Sequence, residues 1–546
     1  MTIKLTVDNQ DIVMPVDATI SIEKNSPVLN EEVGSFSYPF PVPTEENRAV
    51  LGYPGRLERA SNIPVKSFRL EENGVQILSG EMEIDNVTSA ETGMILQSGN
   101  SEFSKRMKDK MLGEIDYGHE SWPSGPVPVA TKLAYWDTRN TVSNGKYVVA
   151  PFVTPFVVAE IGVITANAQK KVSGNSTLAG DGDFAFKYFC LQFLISFVYR
   201  TIFLKSGYVI KEDQFIESEF NKAILFGNLL QLGDSYDSFG VPSFLEYSSL
   251  MPEVKILDFL QRISGLFCLS FDINETKKEV YVRFKKGIFS NESLSSLKIT
   301  ELTGWDHTEK RAVKGFSLRL GSQDSELDTE YDYKIGNSGL YLLPAPTPEG
   351  ATYRLTSLDR DYRVIKNDAG ALEWKEIGRL KEYREGNGEN VIDIDVNIPA
   401  QQKNKYFLVA DEYECPTKQE ASYPGNSRIK TTSELSVCLY HGRKTFSECL
   451  VPYLSFDRYS MTGGTIIDTG LSLKPSYLYK NGYKEFLNWQ TYRARECTKY
   501  IELTLSEAVA LEWGKRYMIS GMPILLNQVS FELPYRGIVK INGFTA

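Results

Sequence analysis

Few residue types in this 546-residue sequence could do chemistry near pH 7, and their spacing limits what they could do. His119, His307 and His441 lie more than 100 residues apart. No HxxxH or HExxH pair therefore exists to grip a metal from one helix face, and a His–Cys zinc site would have to be assembled by the fold. The six cysteines, Cys190, Cys268, Cys415, Cys438, Cys449 and Cys497, form no CxxC pair, so free, buried thiols are expected. No GxSxG elbow and no GxxxxGK[ST] loop occurs. Gly180-Asp-Gly-Asp-Phe-Ala185 fits a permissive dinucleotide pattern. However, no apolar strand leads into it, and Asp181 and Asp183 would repel the pyrophosphate that such a loop must cradle; it reads as a solvated helix cap.

Asp393, Asp395 and Asn397 alternate with Ile392, Ile394 and Val396, which puts three oxygen-bearing side chains on one face of a strand. Such a face could hold Ca²⁺, or serve a half-buried strand as its plain polar side. Paired carboxylates of the glycosidase type cannot be picked out from 70 acidic residues, because their separation is not written in sequence. The expectation is no catalytic residue, no cofactor and no resident metal, with the 393–397 face as the most plausible exception.

The elements that would position these groups are mostly short strands. In the first hundred residues Ile3, Leu5 and Val7 alternate with polar positions. Further alternating runs hold Ile20 and Ile22, Val75 and Ile77, Met82 and Ile84, and Met94 and Leu96. Asn73-Gly74 marks a tight turn between two of them. A helix closes the segment, with Asn100 or Ser101 as cap, Phe103, Met107 and Met111 on one face, and Gly113 as stop. Residues 114 to about 180, rich in Pro, Gly and aromatics, hold no sustained period and read as an irregular packed insertion. From Phe184 to Leu204 apolar residues occupy nearly every helical face. Lys187 and Arg200 interrupt the run below the ~20 residues that a bilayer requires, so this is a helix buried between two layers, and Val209-Ile210 begins a short strand.

The sharpest signal is at 254–284. Ile256, Phe259, Leu260, Ile263 and Phe267 make an amphipathic helix. Leu269, Phe271 and Ile273 then alternate outward to a turn at Glu275-Thr-Lys-Lys, and Val280, Val282 and Phe284 return. The rest is strand-rich, with one further helix near Tyr483 to Trp489. It ends in strands at Tyr517 to Ile519, Ile524 to Val529 and Ile538 to Ile541, the first two joined by a turn at Ser520-Gly521. The fold class is β-rich α+β and multi-domain, divided at 1–113, 114–250 (with the buried helix near 184–205), 251–320 and 321–546.

Composition agrees. With 42% hydrophobic and 24% charged residues and a mean hydropathy of −0.26, the chain is neither a membrane bundle nor a disordered tail. A net charge of −10 argues against binding nucleic acid through a basic surface. The opening Met1-Thr-Ile-Lys-Leu-Thr-Val-Asp reads as a strand, not a signal peptide, so folding in the cytosol is expected.

Two stretches carry a resemblance. Residues 25–56, running from Asn25-Ser-Pro-Val-Leu-Asn through Ser37-Tyr-Pro-Phe-Pro-Val-Pro to Glu46-Asn-Arg-Ala-Val-Leu-Gly-Tyr-Pro-Gly-Arg56, are followed by a strand, Asn73-Gly74, and a second strand through Ser79-Gly80-Glu. This order resembles the opening of tail-tip and baseplate-hub proteins of bacteriophages and prophages. The helix and hairpin at 254–284 resemble a unit that recurs in the same hubs, and the run from Leu511 to Leu526 resembles their terminal strand pairs. The resemblance implies tandem tail-tube-like β-barrel or sandwich domains with a few inserted helices. It implies a homo-oligomer, most often a trimer, joining the tail tube to the tip and passing DNA and tape-measure protein through its lumen. Tail-tube, distal-tail or tip, and tape-measure proteins are the implied partners, and the implied location is the virion tail, assembled in the host cytoplasm. The competing reading, from strand content and 30 Tyr, is a carbohydrate-binding or carbohydrate-active protein of the glycoside hydrolase type.

Overall fold

A computed structural model describes residues 3–29, 34–54, 66–121, 145–155, 163–167, 169–172, 175–178, 190–226, 244–274, 277–289, 294–297, 299–302, 306–308, 315–320, 348–350, 352–355, 360–367, 369–377, 382–386, 390–396, 398, 400–404, 413–417, 435–446, 449–456, 459–462 and 465–546. The chain is strand-rich, with several sheets and a few short helices. Among the described residues its largest sheet has 14 strands. The main path runs Gln10–Asp11, Ile3–Val7, Lys66–Glu72, Val75–Val87, Glu91–Ser98, Ser35–Ser37, Ile20–Asn25, Met522–Leu533, Ile538–Thr545, Glu496–Glu502 and Thr300–Glu301. The two ends of the chain therefore share one sheet, joined where Ile20 pairs with Leu533 and Asn25 with Gln528, antiparallel. They also share a core: Leu5, Ile22, Leu70 and Leu96 pack in one apolar cluster with Ile501, Ile524, Val529 and Ile541. Among the described residues the path of this sheet is open.

The local signals that formed these strands are those of the sequence. Asn73 and Gly74 both take positive φ, 52° and 82°, as a two-residue hairpin turn requires. Ser520 and Gly521 do the same at 54° and 76°, joining Arg516–Ile519 to Met522–Leu533. The helix Ile256–Phe267 buries Ile256, Phe259, Leu260, Ile263 and Phe267 and ends in Cys268, whose left-handed φ of 54° turns the chain straight into Leu269–Asn274. That strand pairs with Glu279–Phe284, Phe271 opposite Val282. A third strand, Val209–Asp213, lies parallel to Glu279–Phe284 on its free side.

Four expectations need correction. The helix near residue 100 spans Asn100–Met107 and neither Asn100 nor any other side chain caps it; Gly99 precedes it at a φ of 68°. It ends before Met111, which is exposed, so Gly113 is not its stop. The apolar helix runs only over Ile195–Lys205, because Gln192–Phe193 is extended and pairs with Tyr147–Val148. Ile195, Val198, Tyr199, Ile202 and Phe203 are buried while Leu204 is exposed, so one side of the helix faces solvent; 179–189 lie outside the described residues. The 114–180 region is not irregular where it is described. Phe152–Pro155 pairs with Val163–Ala166 and, in parallel, with Tyr413–Thr417. Asn175–Leu178 pairs with Gln169–Val172 and meets Cys449–Ser455. Four-residue strands are too short to show a period, and each local pair is completed by a strand more than 200 residues away. Finally, the late helix is longer than expected, running from Pro475 to Arg493 with π turns at Tyr479–Tyr483 and Trp489–Arg493.

Three buried asparagines knit these pieces together. Asn47 Oδ1 accepts from the Val13 amide while its Nδ2 donates to the Val13 and Pro43 carbonyls. Asn100 Nδ2 donates to the Phe271 carbonyl at 3.0 Å and its Oδ1 accepts from the Ile273 amide at 3.1 Å. Asn167 does likewise with Ala150 and both main-chain groups of Cys190. Each carboxamide substitutes for a peptide group, so main chain buried between segments keeps its hydrogen bonds.

Candidate functional site

Most residues singled out from sequence stay apart, although His307 lies opposite Cys497 in the register of two antiparallel strands. His119 is exposed on the strand His119–Ser121, His307 lies on Asp306–Thr308 beside Glu496–Glu502, and His441 is buried, its Nε2 3.3 Å from the Ser455 carbonyl. Burial depresses the His441 pKa to about 3, so its ring is neutral. Cys190, Cys268, Cys438 and Cys497 are buried. Burial pushes the Cys497 thiol up to about 11 and that of Cys438 higher still, which makes both poor nucleophiles. Asp393 is exposed on Asn390–Ile394, while the Asp395 carboxylate sits 2.6 Å from the Arg262 guanidinium. A cation beside Asp395 opposes Ca²⁺ there; Asn397 and the 180–185 loop lie outside the described residues. Among the described residues no three His, Cys, Asp or Glu side chains cluster closely enough to hold a metal, and no helix is long and apolar enough to cross a membrane.

The most distinctive cavity was not foreseen. It has a volume of about 470 Å³ and lies between the strands Lys66–Glu72 and Val75–Val87, the helix Asn100–Met107 and the hairpin turn at Lys278. Glu102 is its centre. The side chain is 6% exposed, its Oε1 is 3.8 Å from Arg106 Nε, and its Oε2 has no hydrogen-bond partner; neither has Arg106 Nε. Gly80 makes this packing possible, because a Cβ there would strike the Gln97 carbonyl and come within 2.9 Å of Glu102 Oε2. Burial raises the Glu102 carboxyl to about 7, against the pull of Lys278 and Arg106 and with a further push from Glu81. The guanidinium of Arg106 donates to the Tyr208 hydroxyl at 2.5 Å. Arg106 and Lys278 both approach the Tyr208 ring, at 5.4 and 5.2 Å from its centroid. Ser67 and Ser79 add hydroxyls to the lining, and Lys66 a second ammonium, which is 2.9 Å from Asp8. Chemically this is a half-protonated carboxyl among cations, suited to binding and to exchanging one proton near neutrality.

The sequence signal for it was faint. Glu102 and Arg106 are an ordinary i,i+4 pair in a helix, and acids are common in first turns. Gly80, Tyr208 and Lys278 join them only through long-range folding. A second charged group is a brace rather than a site: Arg283 Nε and a terminal nitrogen meet Glu212 Oε2 at 2.8 and 2.6 Å, and Gln214 donates to the other Glu212 oxygen at 2.7 Å. It locks Val209–Asp213 to its parallel partner.

No protein-family model and no curated protein matches the chain. Among solved structures the chain is similar to a 43 kDa tail protein of prophage MuSo2 from Shewanella oneidensis. That alignment covers 99% of this chain and 97% of the other, at 6% sequence identity and a TM-score of 0.36. A superposition this loose carries no argument about fold or function.

Proposed function

We propose that the chain is a structural component of a phage or prophage tail, placed at the hub or tip, where copies of it assemble around a channel and join the tail tube to what lies beyond. The reading rests on the resemblance at 25–56 and 254–284. The observation that carries it is the large sheet, which draws strands from both chain ends and whose path is open among the described residues. Open sheet edges are completed by neighbours or must be blunted, and an oligomer of β-rich subunits completes them. The helix and hairpin at Ile256–Phe284 support it as well, formed as the resemblance implies and tied to the end of the N-terminal segment through Asn100. In this reading the protein's work is geometric rather than catalytic, its partners are tail-tube, tip and tape-measure proteins, and DNA meets it only in transit.

Light scattering and negative-stain imaging of the purified chain, alone and mixed with the tail-tube protein of its own gene cluster, test this. Trimers or rings that cap tubes are expected. A species that stays at the mass of one chain under both conditions overturns the reading.

A further inference from the structure

We propose that the cavity enclosed by Lys66–Glu72, Val75–Val87, Asn100–Met107 and Lys278 is a binding site for a small carboxylate, held between Arg106 and the carboxyl of Glu102. The inference stands apart from the tail reading and rests on the cavity itself. Glu102 and Arg106 line it, and each holds an atom with unused hydrogen-bonding capacity, Glu102 Oε2 and Arg106 Nε, packed out of reach of water until the two side chains turn towards the cavity. Leaving such groups unsatisfied is unfavourable, so the site is poised for a guest that satisfies both. A planar carboxylate does so. One of its oxygens accepts from Arg106 Nε–H and the other from Glu102 in its protonated form, giving an acid–carboxylate pair of the kind in which two carboxyl groups share one proton. Three cations, Lys66, Arg106 and Lys278, line the same walls as the carboxylates of Glu81 and Glu102, and Lys66 also pairs with Asp8; with Glu102 protonated the cations outnumber the lining carboxylates and favour an anion. The Ser79 hydroxyl offers a further contact to a polar ligand, while that of Ser67 donates to Asp8, and about 470 Å³ is within the range of small-molecule sites.

Binding couples to protonation. The guest needs Glu102 neutral, and the carboxyl titrates at about 7, so the complex draws a proton from solvent when it forms above neutrality. Two sources share this chemistry, an acidic sugar and the aspartate or glutamate side chain of another protein, and two probes separate them.

Isothermal titration of the full chain with D-glucuronate, with an N-acetylated and C-amidated aspartate, and with glucose, at matched ionic strength, reads the outcome. Saturable binding of either carboxylate but not of glucose is expected, the tighter of the two naming the source. Affinity should fall about tenfold from pH 6 to pH 8, with proton uptake at pH 8 seen as a dependence of the heat on buffer ionisation. Glu102→Gln, whose amide still donates, should retain binding without the pH dependence, and Arg106→Met should abolish it. Equal binding of glucose, an equal response to inorganic sulfate, or a wild-type affinity that is flat with pH and takes up no proton each overturns the proposal. The proton-uptake measurement needs only the wild-type chain, so it decides even where Arg106→Met does not fold.

Discussion

Single residues set opposing pH responses in this molecule. Glu102 has a carboxyl raised to about 7 from an ordinary 4.5. As pH rises from 4.5, the unfolded chain gives up this proton first while the native chain keeps it. Stability therefore declines up to about 7 and is level above, by at most about 3 kcal/mol. Asp272, pushed up to about 6 chiefly by burial, acts with the same sign over a lower window. His441 works the other way: it stays neutral in the fold down to about 3 against an ordinary 6.5, so stability falls as pH drops through that window, by up to about 5 kcal/mol. Thermal midpoints measured against pH check both. Glu102→Gln should lose the neutral-side decline and lie above wild type at pH 8, with the two converging near pH 4.5; His441→Gln should flatten the acid limb. None of this was legible in the sequence, because desolvation depends on what packs over a residue. Glu102 looks like any acid in a first turn, and His441 like any histidine on a strand.

At the scale of elements, legibility followed the distance over which the pattern is written. Asn73-Gly74, Ser520-Gly521 and the helix and hairpin from Ile256 to Phe284 are local. Turn chemistry and apolar period sit inside a dozen residues, and each formed as read. The strands of 147–178 were missed because they are two to four residues long, and two of them, Phe152–Pro155 and Asn175–Leu178, also pair with strands hundreds of residues away. Asn100 was misread as a helix cap for a related reason: asparagine before a helix favours capping, but the buried edge of Leu269–Asn274 has a carbonyl and an amide to satisfy, and that demand prevailed. Asn100→Ala should therefore cost about 2 kcal/mol or more, since two main-chain groups lose their partner in a buried place. Urea denaturation measures the loss. Hydrogen exchange at the Ile273 amide should quicken more than at the Phe271 amide, which gains nothing from the Asn100 side chain.

For the whole molecule, the decisive fact is that strands from residues 3–98 and 496–545 form one sheet over one core. The segment 1–113 has every local sign of a self-sufficient β-domain, yet Ile20–Asn25 takes its partner from Met522–Leu533. A fragment of residues 1–113 should therefore lack cooperative unfolding, and adding a separate 490–546 fragment should restore it; a cooperative transition in the first fragment alone would contradict the shared core. Sequence could not reveal this pairing, because strand patterns report which face is apolar and never which strand is the neighbour. The pairing also has a clock in it. Chains emerge from ribosomes at roughly 5–20 residues per second, so Ile20–Asn25 waits some half a minute or longer for a partner about 500 residues downstream. Throughout that wait one of its edges is unclaimed. The strand reads Ile-Ser-Ile-Glu-Lys-Asn, and Glu23 and Lys24, which end up buried, first serve a nascent chain as charged deterrents to the wrong match.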